Sequence, residues 1–207
     1  MSLYGKLFAR LYDRGLAATE AAGLAARRAA LLGGARGRVL ELGAGTGLNL
    51  AHYPAGLTEL VLTEPDAPML ARLRERAARA DVPATIVAAP AERLPFPDAS
   101  FDTVVATLTL CTVADVPAAL REVRRVLVPG GRLLFIEHVR AGDARAARHQ
   151  DRLHPLWLRV GHGCHCNRAT LAAIEDVLDV QEVEHGHMPR APRIVQPLIA
   201  GTAVKPG

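Results

Sequence analysis

Aromatic residues are scarce in this 207-residue chain, at 4%, with a single tryptophan. A core made from it must rest on Ala, Leu and Val. No ring stands beside the densest basic pairs, Arg27-Arg28 and Arg124-Arg125. A nucleic-acid surface would gather positive charge on one face and interleave it with stacking rings. The net charge of +4 is instead spread as Arg among acidic residues, so no nucleic-acid partner is expected. Cysteine is limited to three residues, too few for a closed disulfide set, and nothing resembles a cleavable leader. A reduced, cytoplasmic compartment is the expectation. Long apolar runs are also missing: the longest are strand-length, short of the roughly 20 residues a bilayer-spanning helix needs.

What is present has the balance of a globular domain, half hydrophobic and 22% charged. The length suits one domain with an added cap, here placed at residues 1–34, with the main domain over 35–207. In the cap, Leu3, Leu7 and Leu11 and then Tyr4, Phe8 and Tyr12 recur at helical spacing, predicting one or two helices over 2–33 closed by Gly33-Gly34. Lys6, Arg10 and Arg14 on this segment allow two readings: a helix packed over the sheet or cleft, or a basic-faced anchor in peripheral contact with a membrane.

From residue 37 the pattern repeats strand, loop and helix. Strands are predicted at 38–42, 57–63, 84–89, 101–107 and 132–137. Helices are predicted from the glycine loop to about Tyr53, at 66–80 and at 117–127, the last stopped by Pro129-Gly130-Gly131. That alternation specifies an α/β fold with a parallel sheet covered on both faces. Helices with an irregular middle at 161–167 follow, and strands near 180–185 and 194–203 finish the chain.

Glu41-Leu42-Gly43-Ala44-Gly45-Thr46-Gly47 ends the first strand and leads into a helix. Glycine suits such a loop because the turn demands unusual dihedrals and a ligand must come close to the backbone. Glu64, before Pro65, ends the second strand, where a carboxylate would accept from ribose hydroxyls. A nicotinamide oxidoreductase would share both features, and a non-catalytic nucleoside binder could keep them.

Three stretches together separate these readings. Val39 to Gly47, Ala91-Glu92-Arg93-Leu94-Pro95-Phe96 with its continuation to Asp102, and Leu120 to Gly131 closely resemble class I methyltransferases, the family that includes quinone-biosynthesis C-methyltransferases. The resemblance spans residues 37–140. It implies a Rossmann-like fold: a mostly parallel seven-stranded sheet with an antiparallel C-terminal strand and an N-terminal helical cap. It also implies S-adenosylmethionine as cofactor, held by Glu41, Gly43, Ala44, Gly45, Gly47, Glu64, Pro65, Ala91, Glu92 and Thr107. Pro90 stands where many such enzymes carry an acidic residue, which leaves the adenine end to backbone amides near Ala91.

A narrower resemblance runs through Thr107 to Val113, Phe135-Ile136-Glu137-His138-Val139, His154-Pro155-Leu156-Trp157, Gly163-Cys164, Arg168 and Ala203-Val204-Lys205. It is to the branch that includes animal membrane-associated thiol methyltransferases and bacterial relatives. It implies a small apolar acceptor such as a thiol; a phospholipid-headgroup amine and a quinone-type carbon are the alternative acceptors. The chain departs from that branch by lacking a hydrophobic N-terminal anchor and by carrying His162 where an aspartate is usual.

His138 ends the fifth strand, where open α/β sheets present their crevice, and is the expected acid/base or acceptor-orienting residue. His162-Gly163-Cys164-His165-Cys166 invites a metal, yet no second ligand pair lies at a recognisable spacing, so no metal site is expected. His162 and His165 are instead candidates for the rim of the acceptor pocket, assisting deprotonation. A thiol with a pKa near ~8.5 needs little such help.

Overall fold

The computed structural model describes residues 3–207, with side chains from Tyr4 onward. Ser2, the expected start of the first helix, and the Leu3 side chain lie outside the described residues. Seven strands form one sheet: β1 (Arg38–Leu42), β2 (Glu59–Thr63), β3 (Thr85–Val87), β4 (Phe101–Thr107), β5 (Leu127–His138), β6 (Asp179–His187) and β7 (Pro197–Val204). Their order is β3-β2-β1-β4-β5-β7-β6. Only β7 runs against its neighbours, β5 on one side and β6 on the other.

Successive residues of the central strands feed two separate cores, which is why these strands read as unbroken apolar runs. Leu40, Leu42, Val104, Ala106, Leu133 and Phe135 face one core, covered by α4 (Val116–Val126) and α6 (Thr170–Glu175). Val39, Val105 and Leu134 face the other, with Leu60, Leu62, Leu70 and Leu73, beneath α2 (Ala25–Leu32) and α3 (Ala67–Ala77). On α4 the buried positions Val116, Ala119, Leu120, Val123 and Val126 recur at helical spacing. Asp115 caps this helix by accepting from the Ala118 amide, and Asp66 caps α3 from the Met69 amide in the same way.

Differences from the sequence reading are local. The helix expected after the glycine loop is a 3₁₀ turn, Leu48–His52, because Leu50 and Asn49 are drawn inward beside the loop. The third strand keeps only three residues. The Pro129-Gly130-Gly131 stop lies within β5 as an excursion: pairing with β4 jumps from Phe101↔Leu127 to Thr103↔Arg132. Lys205 holds that excursion through main-chain bonds to Gly130 and Gly131. In the cap, α1 (Leu3–Thr19) and α2 are joined by a π-turn at Glu20–Leu24, where Gly23 takes φ 133°. Among the described residues no helix is long and apolar enough to cross a membrane.

Candidate active site

Gly43, Gly45 and Gly47 all take positive φ, at 53°, 58° and 83°. Two of them are also hemmed in. A Cβ on Gly43 would sit 2.6 Å from Thr109 Cγ2, and one on Gly47 2.8 Å from Leu73 Cδ1. Gly45 is different, for its nearest neighbour would be the Gly43 carbonyl at 4.0 Å. The loop is thus packed at both ends and open in the middle. The Gly45 amide donates to Glu64 Oε2 at 2.8 Å, and Glu64 Oε1 accepts from the Asp66 amide at 2.8 Å. Burial raises the Glu64 pKa, with these two amides opposing the shift.

Beneath the loop lies a polar network that sequence spacing did not reveal. Glu41 accepts from Asn49 Nδ2 at 2.9 Å and from the Tyr53 hydroxyl at 2.7 Å. Asn49 also donates to Thr107 Oγ1. Arg28, only 3% exposed, reaches in from α2 to donate to Asn49 Oδ1 and Thr107 Oγ1, while its Nε pairs with Glu20. Burial pushes the Glu41 carboxyl up to about 7, the Tyr53 and Asn49 bonds and the Arg28 charge opposing it. Arg28 had registered in the sequence only as half of a basic pair. Its place four residues before Leu32, on the buried face of α2, is the signal that could have found it.

Glu41, Gly43, Ala44, Gly45 and Thr107 line a cavity of about 30 Å³ together with Arg28 and Tyr12. Of the other sequence candidates, Gly47 packs on Leu73 and Pro65 is exposed. Ala91 is in the core, and the Glu92 carboxylate accepts from the Ala114 and Asp115 amides at the start of α4. The Glu92 side chain therefore holds a helix end rather than lining the cavity. Pockets for small ligands run to roughly 300–1,000 Å³, and here Tyr12 of α1 forms one wall of the narrower space. The fastenings of α1 are specific. Asp13 accepts from Thr46 Oγ1 and pairs with Arg76, each at 2.6 Å, and Tyr4 donates to the Val160 carbonyl at 2.8 Å. Phe8 stacks on His162 at 4.6 Å between centroids.

The three candidate histidines part company. His138 is buried, its Nε2 2.9 Å from Cys164 Sγ. His162, at φ 54°, turns toward Asp66 and Phe8, and His165 contacts His154 across 3.0 Å. Neither pairs with His138. Cys164 also receives Trp157 Nε1 at 3.1 Å. The Cys111 thiol alongside holds the Cys164 thiol below its ordinary range against the effect of burial, with further help from His138. Glu137, by contrast, is structural: its carboxylate gathers the amides of Thr109, Leu110 and Cys111 and so fixes the loop after β4.

Comparison with known proteins bears on both ends of this site. A family model described as "Methyltransferase domain" matches residues 40–135. Rat thiol S-methyltransferase TMT1B is 36% identical over 172 residues, covering 81% of this chain and 70% of the relative. The ubiquinone/menaquinone biosynthesis C-methyltransferase UbiE of Shewanella oneidensis is 40% identical over 107 residues, but covers 48% of this chain and 42% of the relative. The crystal structure of a Thermotoga maritima S-adenosylmethionine-dependent methyltransferase, a possible histamine N-methyltransferase, superposes with a TM-score of 0.71 at 20% identity, covering 98% of each chain. The sheet order also departs from the 3-2-1-4-5-6 order of dinucleotide-binding domains by inserting an antiparallel strand beside β5.

Proposed function

Because this chain belongs to the S-adenosylmethionine-dependent class I methyltransferases, we propose that it methylates the sulfur of a small lipophilic thiol. The observation that carries this reading is coverage. The likeness to thiol S-methyltransferases runs over 81% of the chain and includes the segments around Cys111, His138 and Cys164, whereas the quinone-enzyme likeness covers 48%.

The residues suit the cofactor. Glu64, at the end of β2, would take the ribose hydroxyls after releasing the Gly45 amide, and Gly45 would give the open stretch of backbone. Arg28 is the buried cation lining the cavity and would hold the amino acid carboxylate, while Glu41 would balance the ammonium group. When bound, the cofactor supplies a methyl group already activated on a sulfonium. The protein's share is then positioning and exclusion of water. Glu137 fixes the loop after β4, and His138, at the end of β5, orients the acceptor. A thiol ionises near ~8.5, so this pocket requires no strong base.

Peripheral membrane contact belongs to the same proposal. Tyr4, Leu7 and Leu11 on α1 and Leu156 and Val160 on α5 (Ala144–Val160) are large apolar side chains left exposed. Lys6, Arg10 and Arg14 accompany them on α1, as suits an anionic lipid surface. Transfer of labelled methyl groups to a panel of alkyl and aryl thiols, beside a lipid extract, tests the acceptor. Labelled thioether is the expected product; labelled lipid headgroup with unlabelled thiols would refute it. Vesicle sedimentation with and without anionic lipid tests the surface, with binding expected only when anionic lipid is present.

A further inference from the structure

Three soft donors meet where β4 and β5 end. Cys111 lies in the loop after β4, His138 is the last residue of β5, and Cys164 comes from the turn after α5. One ligand atom from each lies within 4.8 Å of the other two, and the residues are only 2%, 3% and 8% exposed. Their separation in sequence hid them, because the spacing around His162–Cys166 pointed to no second ligand pair.

Each donor is held by its own bonds. Glu137 fixes the Cys111 loop from one side, and the His165 amide bonds the Cys111 carbonyl from another. Trp157 holds Cys164. His138 Nε2 already faces Cys164 Sγ at 2.9 Å, and its Nδ1 is a buried nitrogen without a partner. Zinc–sulfur bonds of about 2.3 Å and zinc–nitrogen bonds of about 2.0 Å at tetrahedral angles set donors roughly 3.5–3.8 Å apart. The span here accommodates that with small side-chain shifts. Among the described residues no fourth His, Cys or carboxylate joins the group. Three protein ligands with an open fourth position mark catalytic rather than structural zinc.

We propose that Cys111, His138 and Cys164 bind a zinc ion whose open position takes the sulfur of the acceptor thiol. The assignment rests on the thiol reading above. The site borders the cofactor cavity through Leu108, which lines that cavity and whose carbonyl accepts from Cys111 Sγ. Two thiolates and one neutral imidazole balance the dication. When an acceptor thiol binds, its S–H bond breaks, the proton leaves to solvent, and the sulfur stays on zinc as a thiolate with a lone pair to spare. No electron is gained or lost. A thioether product carries no charge, coordinates weakly and departs.

The test uses the full chain, purified reduced, stripped with chelator and titrated with cobalt(II) or zinc(II) alone. One equivalent of cobalt should give the visible bands of a tetrahedral site and a near-ultraviolet thiolate charge-transfer band, both erased by zinc. Cys111→Ser and Cys164→Ser should each weaken binding about 100-fold or more. Cys166→Ser, whose sulfur faces the Gln150 carbonyl instead, should keep the stoichiometry. An alkyl thiol added without cofactor should shift the cobalt bands. Absence of one-to-one binding by the wild-type protein would overturn the site, and that measurement needs no variant to fold. Bands indifferent to added thiol would overturn the acceptor role. Full-rate thiol methylation by metal-free protein would overturn the zinc proposal while sparing the thiol reading. Metal binding without methylation of any thiol would overturn the thiol reading and the acceptor role with it.

Discussion

Replacing Glu41 with Gln should stabilise the cofactor-free protein at neutral pH, though it removes a residue of the cavity. Glu41 is 2% exposed, and burial pushes its carboxyl from 4.5 up to about 7. A carboxyl whose pKa is raised on folding binds a proton more tightly in the native than in the unfolded chain. Its contribution is therefore fully present below the unfolded value and is lost as pH rises through the folded value. Between pH 4.5 and about 7 the native state holds one proton that the unfolded chain has released, so stability falls by about 1.4 kcal/mol per pH unit. Over that window the loss amounts to about 3 kcal/mol. Gln resembles the protonated acid in shape and cannot ionise, so it escapes the loss. Glu137 is raised to about 7 as well, but it is common to both proteins and drops out of their difference. Urea unfolding of wild type and Glu41→Gln from pH 4 to 8 is the assay. The two curves should meet near pH 4.5 and diverge to about 3 kcal/mol in favour of the variant near pH 8. A difference that stays flat, or that favours wild type at high pH, would refute the burial argument. The same variant should bind S-adenosylmethionine more weakly, since no carboxylate remains for the ammonium group.

Glu64→Gln should weaken S-adenosylmethionine binding about 10- to 100-fold in calorimetry, the worth of a charge-assisted bond; unchanged affinity would remove Glu64 from the cofactor site. Asp13→Ala cuts the fastening of α1 to Thr46 and Arg76. Its partly exposed ion pair contributes only about 0.5–1 kcal/mol to stability, so stopped-flow should find faster cofactor association with a barely altered melting temperature. An unaltered association rate would mean that α1 does not limit entry. Gly201→Ala should cost about 3 kcal/mol or more in denaturant unfolding, because an added Cβ would overlap the Glu182 carbonyl and press on Phe135. Near-wild-type stability there would show that β6 and β7 have room to separate.

The sheet was legible because its central strands face two cores, leaving runs such as Val39-Leu40 and Val104-Val105 apolar on both sides. Asp66 marked a helix start for an equally local reason. Legibility failed where the decisive contact was distant in sequence. Arg28 finds Thr107 across 79 residues, and Asp13 finds Arg76 across 63. Glu92 looked like a cofactor residue from its motif, yet the fold spends its carboxylate on the start of α4. The different surroundings of His162 and His165 have a related reason. The turn after α5 sends these two side chains to different partners, His162 onto Phe8 and His165 onto His154. Nothing in residue spacing encodes which way such a turn faces.

One helix, α1, fastens to the glycine loop through Asp13 and to the end of α5 through Tyr4. A single helix thus bridges two parts of the fold that lie far apart in sequence. If the proposed nucleoside and acceptor both enter past α1, each exchange waits for the same segment to undock. In that case the frequency of undocking caps the rate however fast the chemistry runs. Added viscogen should therefore slow turnover at saturating concentrations of both substrates, and loosening either fastening should lift the same ceiling.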